Sequence, residues 1–376
     1  MTKTKAPGRN VKQSLKQKKS CIHTAAFQFL KLTRHLPWEE NVRKAIQAVS
    51  LSVALTAGFA QAQEAEKPHI PVIVKDVNNS FFQIVIAGAE AAGRELDLRI
   101  EPLGAESEQD VAGQVALLEK AVADHADAVV IAPTSYEGLG LPIDEAAKVL
   151  PVVVIDSAVA SQNFSAYLAT DNRAASAMAA DALAAAIGVP AVTEGIVTGG
   201  DEAAAPAIAQ NVAIVNFIEG AGSLIERSAG FKDELFARYP SLTVVDEVFG
   251  TGSSDSVRIE VEKLLLDHPE IVGIYATNIF TTEVVGELLV QKALAGKVRV
   301  IGWDSSDKIV ALLEDGTVQG AIVQDPFRMG YDGVKAAFDL IEGRGVLREQ
   351  DTGAELITKA NMNGETEQRL LNPPMN

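Results

Sequence analysis

From residue 69 onward, the sequence alternates between short apolar runs rich in β-branched residues and longer stretches with an apolar residue at every third or fourth position. The first pattern is typical of strands buried on both faces, and the second of helices that cover a sheet. Alternating strands and helices predict a doubly wound α/β fold with parallel sheets. The strand-like runs are Ile70–Val74, Ala128–Ala132, Pro151–Ile155, Tyr167–Thr170, Val212–Phe217, Leu242–Phe249, Ile271–Thr277, Val298–Trp303 and Gln319–Val323. About nine or ten strands exceed the usual size of one open sheet, so we expect two Rossmann-like lobes.

Polar side chains follow almost every predicted strand. In open parallel sheets, ligands bind beyond the carboxyl ends of the strands. Strand ends are also solvated loops, so one polar position alone says little. The repetition of carboxylates and amides at successive strand ends favours a polar ligand. These positions are Lys75-Asp76, Pro133-Thr134-Ser135, Asp156-Ser157, Asp171-Asn172, Thr277-Asn278, Trp303-Asp304 and Gln324-Asp325.

The first 62 residues carry 11 of the 33 Lys and Arg residues of the chain but only 2 of its 50 Asp and Glu residues. Two basic residues, Arg43 and Lys44, precede an apolar run over about residues 45–59 that ends in Ala60-Gln61-Ala62. This order is the signature of a secretory signal peptide, and the run is too short to span a bilayer. A buried Ala-rich helix is the alternative interpretation.

We therefore expect residues 1–62 to be a leader that is cleaved near Ala62-Gln63. The mature protein is then soluble in the periplasm, with no membrane insertion. The stretch before Arg43 is long for the basic region of a signal peptide, so translation from Val42 is a further hypothesis.

The remainder of the chain is much more acidic than the net charge of −17 indicates, because the leader holds a third of the cations. Nucleic acids and anionic membrane surfaces require clustered Lys and Arg, so neither is expected as a partner. The one cysteine, Cys21, lies in the leader. Disulfides, thiolate-bound metals and a catalytic thiol are therefore excluded from the rest of the chain.

The sequence gives little support to catalysis. His69, His125 and His268 have no metal-ligand spacing, and no nucleophile elbow or phosphate-binding loop is present. Asp156 and Asp304 could act as an acid–base pair on a sugar, but carboxylates equally hold sugar hydroxyls without reaction. Binding without catalysis is therefore the prediction, with no cofactor and no metal.

Eight short motifs follow one another along the chain in a characteristic order. They are Val74–Phe82, Ile131–Ser135, Pro151–Ser157, Ala169–Arg173, Glu226–Phe231, Ala276–Asn278, Ile301–Asp304 and Ala321–Asp325. Together they resemble the ribose/galactose-type periplasmic sugar-binding proteins, the substrate-binding components of ABC importers. The resemblance covers about residues 69–360. It implies the periplasmic binding protein type I fold, in which a hinge of three crossings joins two α/β lobes that close around one sugar.

The motif positions imply crossings near Thr170-Asp171, near Gln324-Asp325 and near Gly353. The first lobe is then expected to contain residues 63–171 and about 325–353. The second lobe is expected to contain residues 172–324 and about 354–376.

The resemblance also implies a set of ligand-binding residues. Phe81 and Phe82 would cover one face of the sugar, although either ring could instead fix its helix to the sheet. Asp156 would accept hydrogen bonds from hydroxyls, and Gln324 would lie at the hinge. The full predicted set is Lys75, Asn79, Phe81, Phe82, Asp156, Thr170, Arg227, Asn278, Trp303, Asp304 and Gln324.

Several positions depart from the ribose-receptor pattern. Ser157 stands where those receptors have an arginine, and Ile225 stands at the place of a second arginine, with Arg227 nearby. Lys75 replaces a small polar residue and could pair with Asp156 or hold a hydroxyl. These differences argue for a sugar or polyol other than ribose. The spacing from Lys75 to Phe81-Phe82 and the pair Asp156-Ser157 also resemble receptors for autoinducer-2, but the Pro-Ala pair of those receptors is not found at residues 278–280. About residues 189–210 are predicted to be an inserted surface loop.

The resemblance implies a monomeric receptor that delivers its sugar to the membrane permease of an ABC importer. A sensor for a sugar or an autoinducer-2-type signal, acting on a chemoreceptor or histidine kinase, is the main alternative because it would use the same closed surface. A sugar-responsive repressor would need an N-terminal helix-turn-helix in place of the leader. A sugar-processing enzyme is the remaining alternative.

Overall fold

The computed structural model describes residues 66–192 and 209–375. The predicted signal peptide and cleavage site lie outside these residues, and so does most of the predicted insertion at 189–210. Within the described ranges, no helix combines the length and the apolar character that crossing a membrane requires.

The first sheet is built from β1 (His69–Val74), β2 (Arg99–Gly104), β3 (Val129–Ile131), β4 (Val152–Ile155), β5 (Ala166–Ala169) and β11 (Glu349–Asp351). Its strand order is β11-β5-β4-β3-β1-β2, and all neighbouring strands are parallel. Four helices pack on this sheet, and the whole forms the first lobe. They are α1 (Ser80–Leu96), α2 (Val111–Ala123), α3 (Gly140–Ala146) and α9 (Pro326–Ile341).

The second sheet repeats this arrangement with β6 (Gln210–Asn216), β7 (Leu242–Phe249), β8 (Ile271–Ala276), β9 (Arg299–Trp303), β10 (Gly320–Gln324) and β12 (Ala354–Ile357). Its strand order is β12-β10-β9-β8-β6-β7, and only β12 is antiparallel to its neighbour. With its helices it forms the second lobe. They are α4 (Asn172–Ile187), α5 (Gly222–Arg238), α6 (Ser254–Asp267), α7 (Ile279–Gln291), α8 (Asp307–Asp315) and α10 (Glu365–Leu371).

Each sheet is buried on both faces, as the continuous apolar runs require. In β1, Val72 and Val74 join the core beneath α1 and α9, whereas Ile73 joins the core beneath α2 and α3. In β9, Val300 packs toward α7 and α8, and Ile301 packs toward α4 and α5. The predicted doubly wound α/β architecture is therefore confirmed, with two sheets that are parallel except for β12.

The chain passes between the two sheets three times, after β5, after β10 and after β11. Two of these passages lead directly into a helix that an aspartate caps. The carboxylate of Asp171 accepts from the backbone N–H of Ala174 at the start of α4, and that of Asp325 accepts from Arg328 at the start of α9. Caps of this kind fix the point at which a helix begins. The residue boundaries assigned to each lobe from the sequence stay a prediction.

Every predicted strand-like run contains a strand of the structure, with ends that shift by a residue or two. Three strands were not predicted: β2, β11 and β12. All three lie at sheet edges, where a strand is covered less completely and its sequence shows no continuous apolar run.

Candidate functional site

A cavity lies between the two lobes at the carboxyl ends of the central strands. It encloses about 400 Å³ of space free of protein atoms, part of it open to solvent. The strand ends are where open α/β sheets bind ligands. The lining residues come from both lobes. They are Lys75, Asn79, Phe81, Phe82, Glu108, Asp156, Ala221, Ser223, Leu224, Arg227, Asn278, Ile279, Asp304 and Gln324.

Lys75 and Asp156 form a buried ion pair on the first-lobe side of the cavity. Lys75 Nζ lies 2.8 Å from Asp156 Oδ2 and donates to Ser157 Oγ at 2.7 Å. Both charged side chains are only 5% exposed. The pairing predicted for the unusual lysine at the end of β1 is therefore present. A buried charge of either sign is tolerated because it has this partner.

Asp156 and Asp304 occupy corresponding places in the two lobes. Each follows a strand that is third in its sheet order, β4 for Asp156 and β9 for Asp304. Both have left-handed backbone conformations, with φ of 64° and 65°. Aspartate tolerates this region better than most residues with a side chain.

The carboxylate of Asp304 is held by two hydrogen bonds. It accepts from Gln324 Nε2 at 2.7 Å and from the backbone N–H of Ile279 at 3.1 Å. Burial raises the pKa of Asp304, while the nearby Arg227 guanidinium opposes that rise. Desolvation dominates because the side chain is shut away from bulk water at the base of the cavity.

Asn79, Phe81 and Phe82 shape the first-lobe wall. Asn79 caps α1, since its Oδ1 accepts from the backbone N–H of Phe81 at 2.9 Å. The two rings meet edge to face, with centroids 5.2 Å apart. They line the cavity and also belong to the core beneath α1. The two rings therefore both line the cavity and fix α1 to the sheet.

Glu108 is a cavity residue that the sequence reasoning missed. It lies in the loop between β2 and α2, and its Oε1 accepts from Asn79 Nδ2 at 2.9 Å. Burial raises the pKa of its carboxyl, against the opposing effect of Lys75. No strand-end signal marks it, because β2 is an edge strand and Glu108 follows the strand end only after several loop residues. The one sequence feature that could indicate Glu108 is its position two residues before Asp110, which caps α2.

Arg227 and Trp303 are stacked, and only Arg227 reaches the cavity. The guanidinium carbon lies 3.6 Å from the centroid of the Trp303 ring. Nε of Arg227 donates to Asn172 Oδ1, and one terminal nitrogen donates to the carbonyl of Thr277, both at 2.8 Å. Arg227 is 3% exposed. These contacts fix its side chain from three sides.

Trp303, predicted to contact the ligand, does not line the cavity. Its ring is fully buried, and its indole N–H donates to the hydroxyl of Tyr275 at 2.7 Å. The reason is strand alternation: Trp303 is the last residue of β9 and shares a sheet face with Ile301, so it packs against α4 and α5. Trp303 therefore packs against the Arg227 guanidinium and stabilises its position.

Thr170 does not line the cavity either, and it lies at the hinge. Its hydroxyl donates to Gln324 Oε1 at 2.9 Å and lies 3.2 Å from the carbonyl oxygen of Gly353. These three residues stand on the three crossings between the sheets. Gln324 also donates to Asp304, so a continuous hydrogen-bonded path joins the hinge to the cavity.

Four polar atoms on cavity-lining side chains have no protein partner among the described residues. Asp156 Oδ1 and Glu108 Oε2 are acceptors in the first lobe, while Asn278 Nδ2 and one terminal nitrogen of Arg227 are donors in the second lobe. A hydroxyl group both donates and accepts, so a molecule with several hydroxyls can satisfy all four.

The two lobes touch beside this cavity. Ser157 Oγ of the first lobe donates to Ser223 Oγ at the start of α5 at 2.9 Å. The backbone N–H of Tyr136 donates to the carbonyl of Gly220 in the second lobe, also at 2.9 Å. The structure therefore shows a closed cleft. In the described parts of the chain, no cluster of three or more His, Cys, Asp and Glu side chains is suited to a metal ion.

The chain is similar to several solute-binding proteins whose structures were solved with a bound sugar. A carbohydrate-transporter solute-binding protein from Agrobacterium radiobacter, solved with D-arabinose, is 42% identical and superposes with a TM-score of 0.75, over 82% of this chain and 100% of that one. A solute-binding protein from Agrobacterium vitis, solved with D-fucose, is 30% identical with a TM-score of 0.73, over 81% of this chain and 99% of that one.

A D-ribose/D-allose-binding protein of Pseudomonas aeruginosa is 27% identical over 334 residues, which cover 84% of this chain and 98% of that protein. The family described as the periplasmic binding protein domain matches residues 70–345. This match runs from Ile70 in β1 through β10 and includes every residue that lines the cavity. The chain belongs to the periplasmic binding protein domain family.

Proposed function

We propose that this protein is the extracytoplasmic receptor of an ABC-type sugar importer, and that it captures one monosaccharide between its lobes. The observation that carries the proposal is the set of four unpartnered polar atoms in the closed cavity, two acceptors from one lobe and two donors from the other. A ligand with several hydroxyls bridges the lobes through these atoms and so stabilises the closed state.

The relatives support a monosaccharide as the ligand class. The solved relatives hold D-arabinose and D-fucose, and the relative from Pseudomonas aeruginosa is named for D-ribose and D-allose. The aromatic wall of Phe81 and Phe82 suits the C–H face of a sugar ring. The carboxylates of Asp156 and Asp304 are engaged by Lys75 and Gln324, so they hold hydroxyls rather than exchange protons.

We further propose where the protein acts and where it delivers the sugar. The protein acts as a monomer in the periplasm after cleavage near Ala62-Gln63, and its closed form delivers the sugar to a membrane permease. It performs no chemical reaction on the sugar. The family description and the sugar-transport relatives support this assignment.

A thermal-shift screen with D-arabinose, D-fucose, D-ribose and D-allose tests the proposal. A sugar at 100 times its dissociation constant should add about 2.7 kcal/mol to the free energy of unfolding. The stabilisation should disappear in Asp304→Asn, which removes a cavity carboxylate, and persist in the control Asp307→Asn on the exposed start of α8. Equal melting temperatures with all four sugars and with buffer would argue against a sugar receptor.

A further inference from the structure

The Glu108 carboxylate has an unusual position among the charged groups of the cavity. Lys75 and Asp156 neutralise each other at 2.8 Å, and Asp304 has two donors. Glu108 has one hydrogen bond, from the neutral amide of Asn79, and no cation within ion-pair distance among the described residues. A partly buried carboxylate with a free oxygen is an unfavourable feature unless something else occupies that oxygen.

Asn79 is placed to position Glu108 rather than to bind a ligand itself. Its carboxamide oxygen is used by the backbone N–H of Phe81, and its amide nitrogen is used by Glu108. The amide thus connects the start of α1 to the carboxylate. This arrangement leaves Glu108 Oε2 as the acceptor that the first lobe offers on this side of the cavity.

The backbone around Glu108 is fixed by a turn, because the N–H of Asp110 donates to the carbonyl of Ser107 at 3.0 Å. Two residues later, Asp110 caps α2 by accepting from the backbone N–H of Gly113 at 2.8 Å. Gln109, which directly follows Glu108, packs against Gly252 of the second lobe. A Cβ on this glycine would lie 2.4 Å from Gln109 Nε2. Glu108 therefore has a defined place in the closed state, as a residue that discriminates between ligands requires.

We propose that Glu108 is a specificity-determining residue, whose Oε2 accepts a hydrogen bond from one ring hydroxyl and selects sugars that place a hydroxyl there. Asn79 is its positioning residue. This inference rests on the proposed function and deepens it. A sugar with the opposite configuration at that carbon leaves the carboxylate unpaired, so the site discriminates by the difference between a satisfied and an unsatisfied acceptor. The raised pKa of Glu108 agrees with a carboxyl that lacks a strong partner in the absence of sugar.

The test is calorimetric titration of the full protein with the four D-aldopentoses arabinose, ribose, xylose and lyxose, which differ only in configuration at C2 and C3. We expect Glu108→Ala to weaken the tightest of the four by about tenfold to a hundredfold. It should weaken the poorest binder much less, so that the spread of dissociation constants narrows. Glu108→Gln keeps the bond from Asn79, so its spread of dissociation constants should lie between those of the wild type and of Glu108→Ala. Glu106→Gln, an exposed acid in the same loop, is the matched control and should change nothing.

Two outcomes overturn the inference while leaving the proposed function intact. One is an unchanged spread of dissociation constants in Glu108→Ala, and the other is an equal loss of affinity for all four sugars. Thermal unfolding of each variant shows whether it is folded, and Glu108→Gln provides the measurement if the alanine variant is not. If the wild-type protein binds none of the four sugars and none of D-fucose, D-allose and D-galactose, the proposed function itself fails and the inference fails with it.

Discussion

The hydroxyls of Ser157 and Ser223 lie 2.9 Å apart and join the two lobes at the edge of the cavity. Ser157 also accepts from the Lys75 ammonium and lies 3.0 Å from Asp156 Oδ2. The interlobe bond is therefore an extension of the buried ion pair. Under the proposed function, the groups that bind the sugar also hold the cleft closed, so ligand binding and closure are expected to depend on the same residues.

Gly222, beside Ser223, is predicted to be required for closure. A Cβ on this residue would lie 2.1 Å from the carbonyl oxygen of Ala158 in the other lobe. Gly222→Ala should therefore prevent full closure and weaken sugar binding by at least tenfold, with each lobe still folded. Small-angle scattering should show that sugar no longer reduces the radius of gyration. Gly345→Ala is the control, since a Cβ there meets nothing within 4 Å. Normal affinity in Gly222→Ala would show that the cleft tolerates the added carbon.

The Lys75–Asp156 pair should contribute to stability as well as to binding. Asp156→Asn keeps a residue that tolerates the left-handed φ of 64° but removes the ion-pair partner of the buried ammonium. We expect a loss of about 3 kcal/mol in the free energy of unfolding, measured in urea. The double variant Lys75→Met/Asp156→Asn should recover most of this stability but not the sugar affinity. The exposed pair Lys148–Glu145 is the control, and Glu145→Gln should cost less than about 1 kcal/mol. An equal loss in the free energy of unfolding for Asp156→Asn and Glu145→Gln would contradict this account.

Trp303 should behave as a core residue. The chain has two tryptophans, so a Trp38→Phe background leaves Trp303 as the only one. Its emission should be that of a buried indole, resistant to acrylamide quenching with or without sugar. Trp303→Ala should lower the free energy of unfolding by about 3–5 kcal/mol and release Arg227 from its stacking contact. Strong quenching that sugar abolishes would instead place the indole in the ligand site.

The stability of the ligand-free protein should depend on pH through Glu108. Burial raises its pKa above the usual 4.5, Asp156 and Asp76 add to the rise, and Lys75 and the bond from Asn79 oppose it. The folded pKa is the higher one, so the contribution of this group is greatest below about pH 4.5 and is lost as the pH rises through the folded pKa.

Glu108→Gln should therefore raise the melting temperature of the ligand-free protein at pH 7 and flatten its decline between about pH 4.5 and 7. The same substitution should weaken sugar binding, so stability and affinity should change in opposite directions. Glu106→Gln serves again as the control. A lower melting temperature for Glu108→Gln at pH 7 would mean that the ionised carboxylate stabilises the fold.

The sequence was sufficient for the central strands and for the edge strand β7, but not for the other three edge strands. Runs such as Val152–Ile155 are apolar on both faces, and this property can be read directly from the residues. β2 contains Glu101 and Pro102 because an edge strand is only partly covered. β12 pairs antiparallel to β10 over four residues, which is too short for a period to be visible.

The site shows the same division. Lys75, Asp156 and Asp304 follow central strands and were predictable from position alone. Glu108 follows an edge strand through a loop, and nothing local indicates that this loop folds back toward Asn79. The end of a strand and the family resemblance both point Trp303 toward the ligand, whereas the alternation of β9 places its ring with Ile301 on the helix-covered face.

The central claim is that the cavity between the lobes binds one monosaccharide. Isothermal titration calorimetry of the wild-type protein with D-arabinose, D-fucose, D-ribose and D-allose tests it most directly. The account predicts saturable binding of at least one of these sugars at one site per chain, lost in Asp304→Asn and retained in Asp307→Asn. The absence of saturable heat with all four sugars at millimolar concentration, or binding that Asp304→Asn leaves unchanged, would contradict it.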